Sequence, residues 1–243
     1  MFHRKRDLPS DWEDRIASFD KQWWDTDVQR RTKIRDLIEP LMFETRWEQA
    51  RGFELTVDMQ LVVSSQAVRL LLGLEVGRFD NVHTVIMHET TMISSGQRRG
   101  PVAGVYTDDD VRIVGEAAHD RGPISLAWDE VVRDVTHRGR GRNVVLHEFA
   151  HKLDMADGVV DGTPVFGDGD LGRRWVEVCT RTFHQLEAHP SVVLSDYGTV
   201  NPGEFFAVST EAFFCRPVAL FHHHRDLYEV LAEYYNQDPR VEA

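Results

Sequence analysis

The stretch Val144-Val-Leu-His147-Glu148-Phe-Ala-His151-Lys-Leu-Asp154 decides how this 243-residue chain is interpreted. Residues four apart lie one above the other on an α-helix, so His147 and His151 would point their rings at one spot. Both rings could then bind a metal ion at roughly 2.0–2.1 Å. Glu148 would lie beside that spot, where it can take a proton from water at the open metal position and pass it to a departing amine. The segment therefore predicts a metal site that performs hydrolysis.

The residues around this motif favour a buried helix at the floor of a cleft. Uncharged side chains flank the motif on both sides, and Asn143 can cap the helix. Two imidazoles in such a helix would be costly to bury without a partner. The rival interpretation is that both histidines are core residues whose rings bond to neighbouring carbonyl groups.

The metal would need a third protein ligand, and the first candidate is local. Asp157 follows His151 by six residues, which is the spacing of compact sites in which a glycine supplies a sharp turn. The turn position here is Asp154, and aspartate can adopt the left-handed conformation that such a turn needs. The sequence therefore allows a site in which Asp157 is the third ligand.

The second candidate is Glu204, in the segment Asn201-Pro-Gly-Glu204-Phe-Phe-Ala-Val-Ser-Thr-Glu211. The proline predicts the start of a helix, and Glu204 and Glu211, seven residues apart, would share one face of it. Two carboxylates on an otherwise apolar helix favour a cation, with Glu204 as ligand and Glu211 orienting a ligand histidine. The rival interpretation of Glu211 is a salt bridge with an arginine such as Arg216.

The remaining chain predicts helices on both sides of a small sheet. Helices are expected in the N-terminal part 10–75, including one that stops at Pro40 and a buried one over 57–74, and again over 143–236. Short β-rich runs, with a hairpin turn at 107–110, predict a largely antiparallel sheet within residues 82–127. These runs are Val82–Met87, Gly104–Tyr106, Val111–Val114 and Ile124–Ala127. The expected fold class is α+β, as one mostly helical domain over residues 1–243.

Composition and charge exclude several classes of partner. The chain has 28 basic and 40 acidic residues, hence 28 − 40 = −12, which disfavours a nucleic-acid groove. Arg138, Arg140 and Arg142 are expected in a solvated loop. No run approaches the roughly 18 apolar residues of a membrane span. Cys179 and Cys215 are expected as separate reduced thiols, so a cytoplasmic location is predicted.

With these residues assembled, the chain resembles the Mlc titration factor A family of zinc peptidases and, more remotely, the catalytic domain of anthrax lethal factor. The shared motifs include Gly52-Phe-Glu-Leu, Gly122-Pro-Ile-Ser-Leu-Ala-Trp128, the motif helix and Pro202-Gly-Glu-Phe-Phe-Ala207. The resemblance implies a gluzincin-like domain in which Zn²⁺ is bound by His147, His151 and Glu204. It therefore favours Glu204 over Asp157.

The same resemblance implies further roles. The stretch Ser195-Asp-Tyr197-Gly, seven residues before Glu204, is similar to a segment of lethal factor whose tyrosine faces the metal. Tyr197 would then donate a hydrogen bond to the oxyanion formed during peptide hydrolysis. The implied activity is aminopeptidase-like cleavage of short peptides with Glu148 as general base. The rival function is that of a regulatory protein that sequesters a transcriptional repressor, because the family is named for that action.

Overall fold

Helices make up most of the fold, which is known from a computed structural model describing residues 7–50, 52–74, 79–90, 92–94, 98–99, 106–107, 111–113 and 122–242. The α-helices in these ranges are α1 (Trp12–Phe19), α2 (Val28–Glu44), α3 (Val57–Ala67), α4 (Trp128–Thr136), α5 (Val144–Asp154), α6 (Gly169–Ala188), α7 (Pro202–Cys215), α8 (Pro217–His223) and α9 (Arg225–Tyr235). The strands are β1 (Arg46–Gln49), β2 (Thr84–His88), β3 (Met92–Ser94), β4 (Arg98–Arg99), β5 (Tyr106–Thr107), β6 (Val111–Ile113) and β7 (Ile124–Ala127). None of the described helices is both long and apolar enough to cross a bilayer.

Helix α2 differs from its prediction because it continues past Pro40 to Glu44. Its start is well defined, since the Asp27 side chain accepts hydrogen bonds from two main-chain amides of the first turn. A proline inside a helix removes one main-chain hydrogen bond and crowds the preceding turn. Burial of Ile38 and Met42 in the core offsets that cost. The predicted stop at Pro40 is therefore wrong, whereas the buried third helix is found as α3 and a following 3-10 turn over 68–71.

The sheet that carries the core is parallel, and the prediction of a largely antiparallel sheet is wrong. Strands β1, β2 and β7 pair in the order β1-β2-β7, with Trp47 opposite Val85 and Met87 opposite Leu126. Antiparallel pairing occurs only in two small ladders among the described strands, β3 with β6 and β4 with β5. Residues 104–105, 108–110 and 114, which belong to the predicted runs and hairpin turn, lie outside the described residues.

The physical reason for this error is the position of β1. Short runs separated by turn residues predict hairpins, but β2 pairs with a strand that lies before α3 in the chain. Strands joined by such a crossover run parallel. Val85, Met87, Ile124 and Leu126 are fully buried, as the inward residues of a covered parallel sheet should be.

Helix α5 lies in the core and packs against α7. Every residue of α5 except His147 is buried, as expected of a helix that is apolar nearly all round. Aromatic side chains fill the space behind the two helices: the rings of Trp175 on α6 and Phe206 on α7 lie 5.4 Å apart in an edge-to-face arrangement. This packing determines how the facing side chains of α5 and α7 meet.

Candidate metal centre

The start of α5 is held by side chains that accept hydrogen bonds from its first amides. Asn143 accepts from the amides of Val145 and Leu146 at 3.1 and 3.2 Å, as predicted for the cap. The buried carboxylate of Asp134 accepts from the amide of Val144 at 3.0 Å. With every amide of the first turn engaged in this way, the helix cannot easily rotate or fray. The motif residues one turn further on are therefore held in a defined direction.

Helix α7 brings Glu204 to the two histidines of α5. The side chain of Asn201 caps α7 by accepting from the amide of Glu204 at 2.9 Å. The Oε2 atom of Glu204 lies 3.0 Å from Nε2 of His147 and 3.4 Å from Nε2 of His151. The two Nε2 atoms are 3.2 Å apart. The structure thus places one atom of each residue around a common point.

These separations suit a metal ion. Two ligands bound at 2.0–2.1 Å with a tetrahedral angle between them lie roughly 3.3 Å apart, and the three measured edges are 3.0, 3.2 and 3.4 Å. Two imidazoles and one carboxylate are a common donor set that leaves a coordination position open. The residues present therefore fit a bound metal ion.

Asp157, the other candidate ligand, does not belong to this group. It is exposed and lies in the 3-10 turn that follows α5, where its Oδ1 accepts from the amide of Val159 at 2.9 Å. Gly158, at φ 88°, then ends the turn in the left-handed conformation. The turn position of the compact arrangement, Asp154, is instead a fully buried helical residue, and burial raises the pKa of its carboxyl group to about 6.

Glu211 orients His147 and does not pair with Arg216. Its Oε1 accepts from Nδ1 of His147 at 2.6 Å, and its Oε2 accepts from the amide of Asn143 at 2.7 Å. A carboxylate at Nδ1 keeps the proton on that nitrogen, so Nε2 is the nitrogen of His147 that would bind a metal ion. Arg216 donates to the carbonyl of Val192 at 2.9 Å instead.

A buried chain of hydrogen bonds, which was not predicted from the sequence, continues from Asn143 to the N-terminal helices. Asn143 donates to Gln66 on α3 at 3.1 Å, and Gln66 donates to Asp20 at 3.3 Å. Asp20 also accepts from Arg69 at 3.0 Å and from Arg138. Polar residues 64–66 inside an otherwise apolar helix were the one available signal. For Arg138 the prediction of a solvated loop is wrong, because its guanidinium pairs with a buried carboxylate.

The carboxylates around His147 favour a cation at the centre. Burial opposes protonation of His147, but hydrogen bonds to Glu204 and Glu211 outweigh it and raise the pKa of His147 to about 10. Burial would raise the pKa of Glu204, yet its bonds to His147 and His151 lower it to about 2. A proton on an imidazole thus does what a metal ion would do, which is to balance the surrounding carboxylates.

Glu148 is placed beside the ligand group without belonging to it. The residue is 1% exposed, and its Oε2 atom has no hydrogen-bond partner among the described residues. Burial raises the pKa of Glu148 to about 8, and the neighbouring carboxylates add to the effect of burial. A carboxyl group that exchanges its proton near neutral pH is suited to general acid–base chemistry.

Tyr197 and a cavity lie on the accessible side of the centre. The Tyr197 side chain is about half exposed, and its ring centroid is 6.0 Å from that of His147. Burial and the charges of Glu204 and Glu148 raise the pKa of the phenol to about 12, so its hydroxyl stays a donor at neutral pH. The cavity has a volume of about 580 Å³, and His147, Glu148 and Tyr197 are among its lining residues. The volume is within the range of small-molecule sites.

Comparison with known proteins agrees with this geometry. The family model of the glucose-regulated metallo-peptidases M90 matches residues 2–236. Over 241 residues the chain is 31% identical to the uncharacterized protein slr2042 of Synechocystis, covering 98% of this chain and 87% of that protein. It is 28% identical over 218 residues to Mlc titration factor A of Pectobacterium atrosepticum, covering 87% and 80%. It is 24% identical over 220 residues to Mlc titration factor A of Salmonella agona, covering 87% and 81%.

These matches span nearly the whole chain and confirm the resemblance drawn from the motifs. They agree with the group of two histidines and one glutamate that could hold a metal ion. The chain therefore belongs to the glucose-regulated metallo-peptidase M90 family.

Proposed function

We propose that this metallopeptidase-like protein is a zinc-dependent peptidase with aminopeptidase-like action on short peptides. The observation that carries the proposal is the convergence of His147, His151 and Glu204, with Glu148 buried beside them. Two imidazoles and one carboxylate with an open position suit zinc better than the harder cations, which prefer oxygen ligands. The cavity on the open side has room for a short peptide.

Each residue then has a defined task. Bound zinc would supply Lewis-acid polarisation of the peptide carbonyl and would acidify water. Glu148 takes the proton of the attacking water and delivers it to the departing amine. Glu211 keeps Nδ1 of His147 protonated and the ring in place. Tyr197 donates a hydrogen bond to the oxygen that gains negative charge as the carbonyl is attacked.

The direct test joins metal analysis to a peptidase assay. Purified protein should bind about one zinc per chain and should hydrolyse aminoacyl-nitroanilides until a chelator removes the metal. Glu148→Gln should retain zinc and lose about 10²-fold or more in turnover, as expected for a missing general base. The matched control is Glu229→Gln, since that glutamate is exposed on α9 and pairs with Arg225. Unchanged turnover in Glu148→Gln protein would remove this residue from the mechanism.

The second candidate function is stoichiometric binding of a transcriptional repressor. The relatives from Pectobacterium atrosepticum and Salmonella agona bear the name Mlc titration factor A, and that name is what supports the candidate. Binding to a repressor should survive Glu148→Gln, whereas peptide hydrolysis should not. A chain that binds such a partner with equal affinity in both forms, and hydrolyses no peptide with zinc present, would reverse our preference.

Three further assignments complete the proposal. The substrate is a peptide, and a nucleic-acid partner is disfavoured by the net charge of −12. We place the protein in the cytoplasm and away from membranes. Cys179 and Cys215 are both free thiols, as expected in a reducing compartment. Fractionation of cells that express the protein, followed by immunodetection, would test this location.

A further inference from the structure

One side of the active-site cavity is basic although the chain as a whole is acidic. Arg140 and Arg142, just before α5, and Arg216, just after α7, line the same cavity as His147 and Glu148. The rise of an α-helix places Glu148 roughly 6 Å beyond the first residue of α5 along the axis. An extended peptide advances about 3.3 Å per residue, so the start of α5, which Arg142 precedes by two residues, lies about two residues of such a peptide from Glu148 along the helix axis.

Contacts with Gly141 and Val192 hold the Arg216 side chain at the cavity wall. Gly141, at φ 76°, lies so close that an added Cβ would be 2.5 Å from Cδ of Arg216. The backbone of Gly141 thus makes room for the arginine stem. Its guanidinium donates to the carbonyl of Val192 at 2.9 Å, which leaves other N–H groups for a ligand. Among the described residues, no carboxylate pairs with Arg216.

The other two arginines differ in how far they are neutralised. Arg142 donates to Glu130 at 2.9 Å and lies 3.8 Å from Asp134, so its charge is balanced by buried carboxylates. Arg140 is exposed, and no acidic partner occurs for it in the described part of the chain. Two guanidinium groups, those of Arg140 and Arg216, are therefore available to an anion.

The acidic groups of the cavity restrict where an anion could lie. Glu148 and Glu211 line it beside His147, so the acidic side chains of the wall lie at the metal centre and not beside the arginines. The apolar side chains of Val144, Leu194 and Val208 form another part of the wall. Away from the metal centre, the arginines are the side chains of this wall with which a negatively charged group can pair.

We propose that Arg216 and Arg140 form a carboxylate-binding subsite, and that preferred peptides carry a free carboxylate one or two residues from the cleaved bond. The inference rests on the proposed peptidase function and specifies its substrate class. Arginine binds carboxylates through two parallel hydrogen bonds, which gives orientation as well as affinity. The carboxylate could be the C-terminus of a very short peptide or an acidic side chain.

Binding to zinc-loaded Glu148→Gln protein tests the subsite without turnover. In calorimetric titrations, Ala-Ala-Ala should bind at least about tenfold more tightly than its C-terminal amide, or Ala-Glu-Ala-amide should bind at least about tenfold more tightly than Ala-Gln-Ala-amide. The reason is that the neutral peptide of each pair lacks one charge-assisted hydrogen bond. The first result identifies the peptide terminus and the second an acidic side chain. Equal or undetectable binding within both pairs overturns the proposal.

Arginine variants assign the effect to its residues. Arg216→Met, and independently the exposed Arg140→Met, should each reduce the preference for the charged peptide while leaving affinity for the neutral one nearly unchanged. Arg35→Met is the matched control, because this half-exposed arginine on α2 does not line the cavity. A preference that survives both cavity variants refutes the subsite. Absence of hydrolysis by the zinc-loaded wild-type chain, with the binding preference intact, would instead count against the peptidase function.

Discussion

Replacing Glu204 with alanine should release the metal ion while leaving α7 folded. The carboxylate contributes one corner of the ligand group, 3.0 Å from Nε2 of His147 and 3.4 Å from Nε2 of His151. The cap of α7 does not depend on this side chain, because Asn201 binds the main-chain amide of residue 204. The substitution therefore removes a ligand without removing a cap.

The expected size of the effect follows from the number of ligands. Zinc sites with four protein ligands have apparent binding free energies of roughly 10–16 kcal/mol, so one ligand contributes on the order of 3–4 kcal/mol. Each 1.4 kcal/mol is about tenfold in affinity, which predicts that Glu204→Ala weakens zinc binding by about 10²–10³-fold.

Thermal unfolding reports this change without any activity assay. At free zinc about 100 times its Kd, the wild-type chain gains roughly 2.7 kcal/mol of stability, while a variant with hundredfold weaker binding gains about 0.4 kcal/mol. For a chain of this size the corresponding rises in Tm are about 5–10 °C and about 1 °C. Both proteins should be measured at one pH and one zinc concentration, and then with chelator.

Asp157→Ala is the matched control for Glu204→Ala. Asp157 is exposed, and in the described part of the chain its carboxylate accepts a hydrogen bond from the amide of Val159. This variant should therefore keep the zinc-dependent rise in Tm. The reverse pattern, with zinc lost from Asp157→Ala and retained by Glu204→Ala, would refute the site and would favour Asp157 as the third ligand.

Three more predictions test the groups around the ligands. Tyr197→Phe should lower kcat by about 10²-fold with little change in KM, because the lost hydrogen bond forms at the transition state; equal kcat values for the two proteins would exclude this role. Glu211→Gln should weaken zinc binding about 10–100-fold, measured by competition with a chelator, since His147 loses its anionic partner; undiminished affinity would contradict the orienting function. Asp20→Ala should lower the free energy of unfolding, measured by urea denaturation, by about 3 kcal/mol, because two arginines lose a buried carboxylate. A loss no larger than that of the exposed control Asp11→Ala would show that the buried pairing contributes little to stability.

The convergence of the two histidines was predictable because helix geometry is local. A spacing of four residues brings His147 and His151 to one face wherever the helix lies, and an asparagine before an apolar run predicts a cap. The third ligand was different, since two carboxylates met the chemical requirement equally well. Only the packing of α5 on α7 shows that Glu204 meets the histidines and that Asp157 points to solvent.

The sheet was mispredicted because strand pairing is not a local property. The residues of β1 contain two charges and a single aromatic ring, so they show no apolar alternation. Their strand conformation depends on pairing with β2, which lies beyond α3. The short predicted runs, all of which follow α3, have strand propensity in isolation, yet propensity does not determine which partner a strand pairs with or in which direction.

The sequence by itself determined the helical character of the chain, the face of α5 that carries His147 and His151, and the family, because each is encoded in consecutive residues or in motifs. Tertiary structure alone decided the parallel order of the sheet and the choice of Glu204 as the third member of the ligand group. It also decided the chain of hydrogen bonds from Asp20 through Gln66 and Asn143 to Glu211. Each of these joins residues that are distant in the sequence, and only the burial of a shared core brings them within bonding distance.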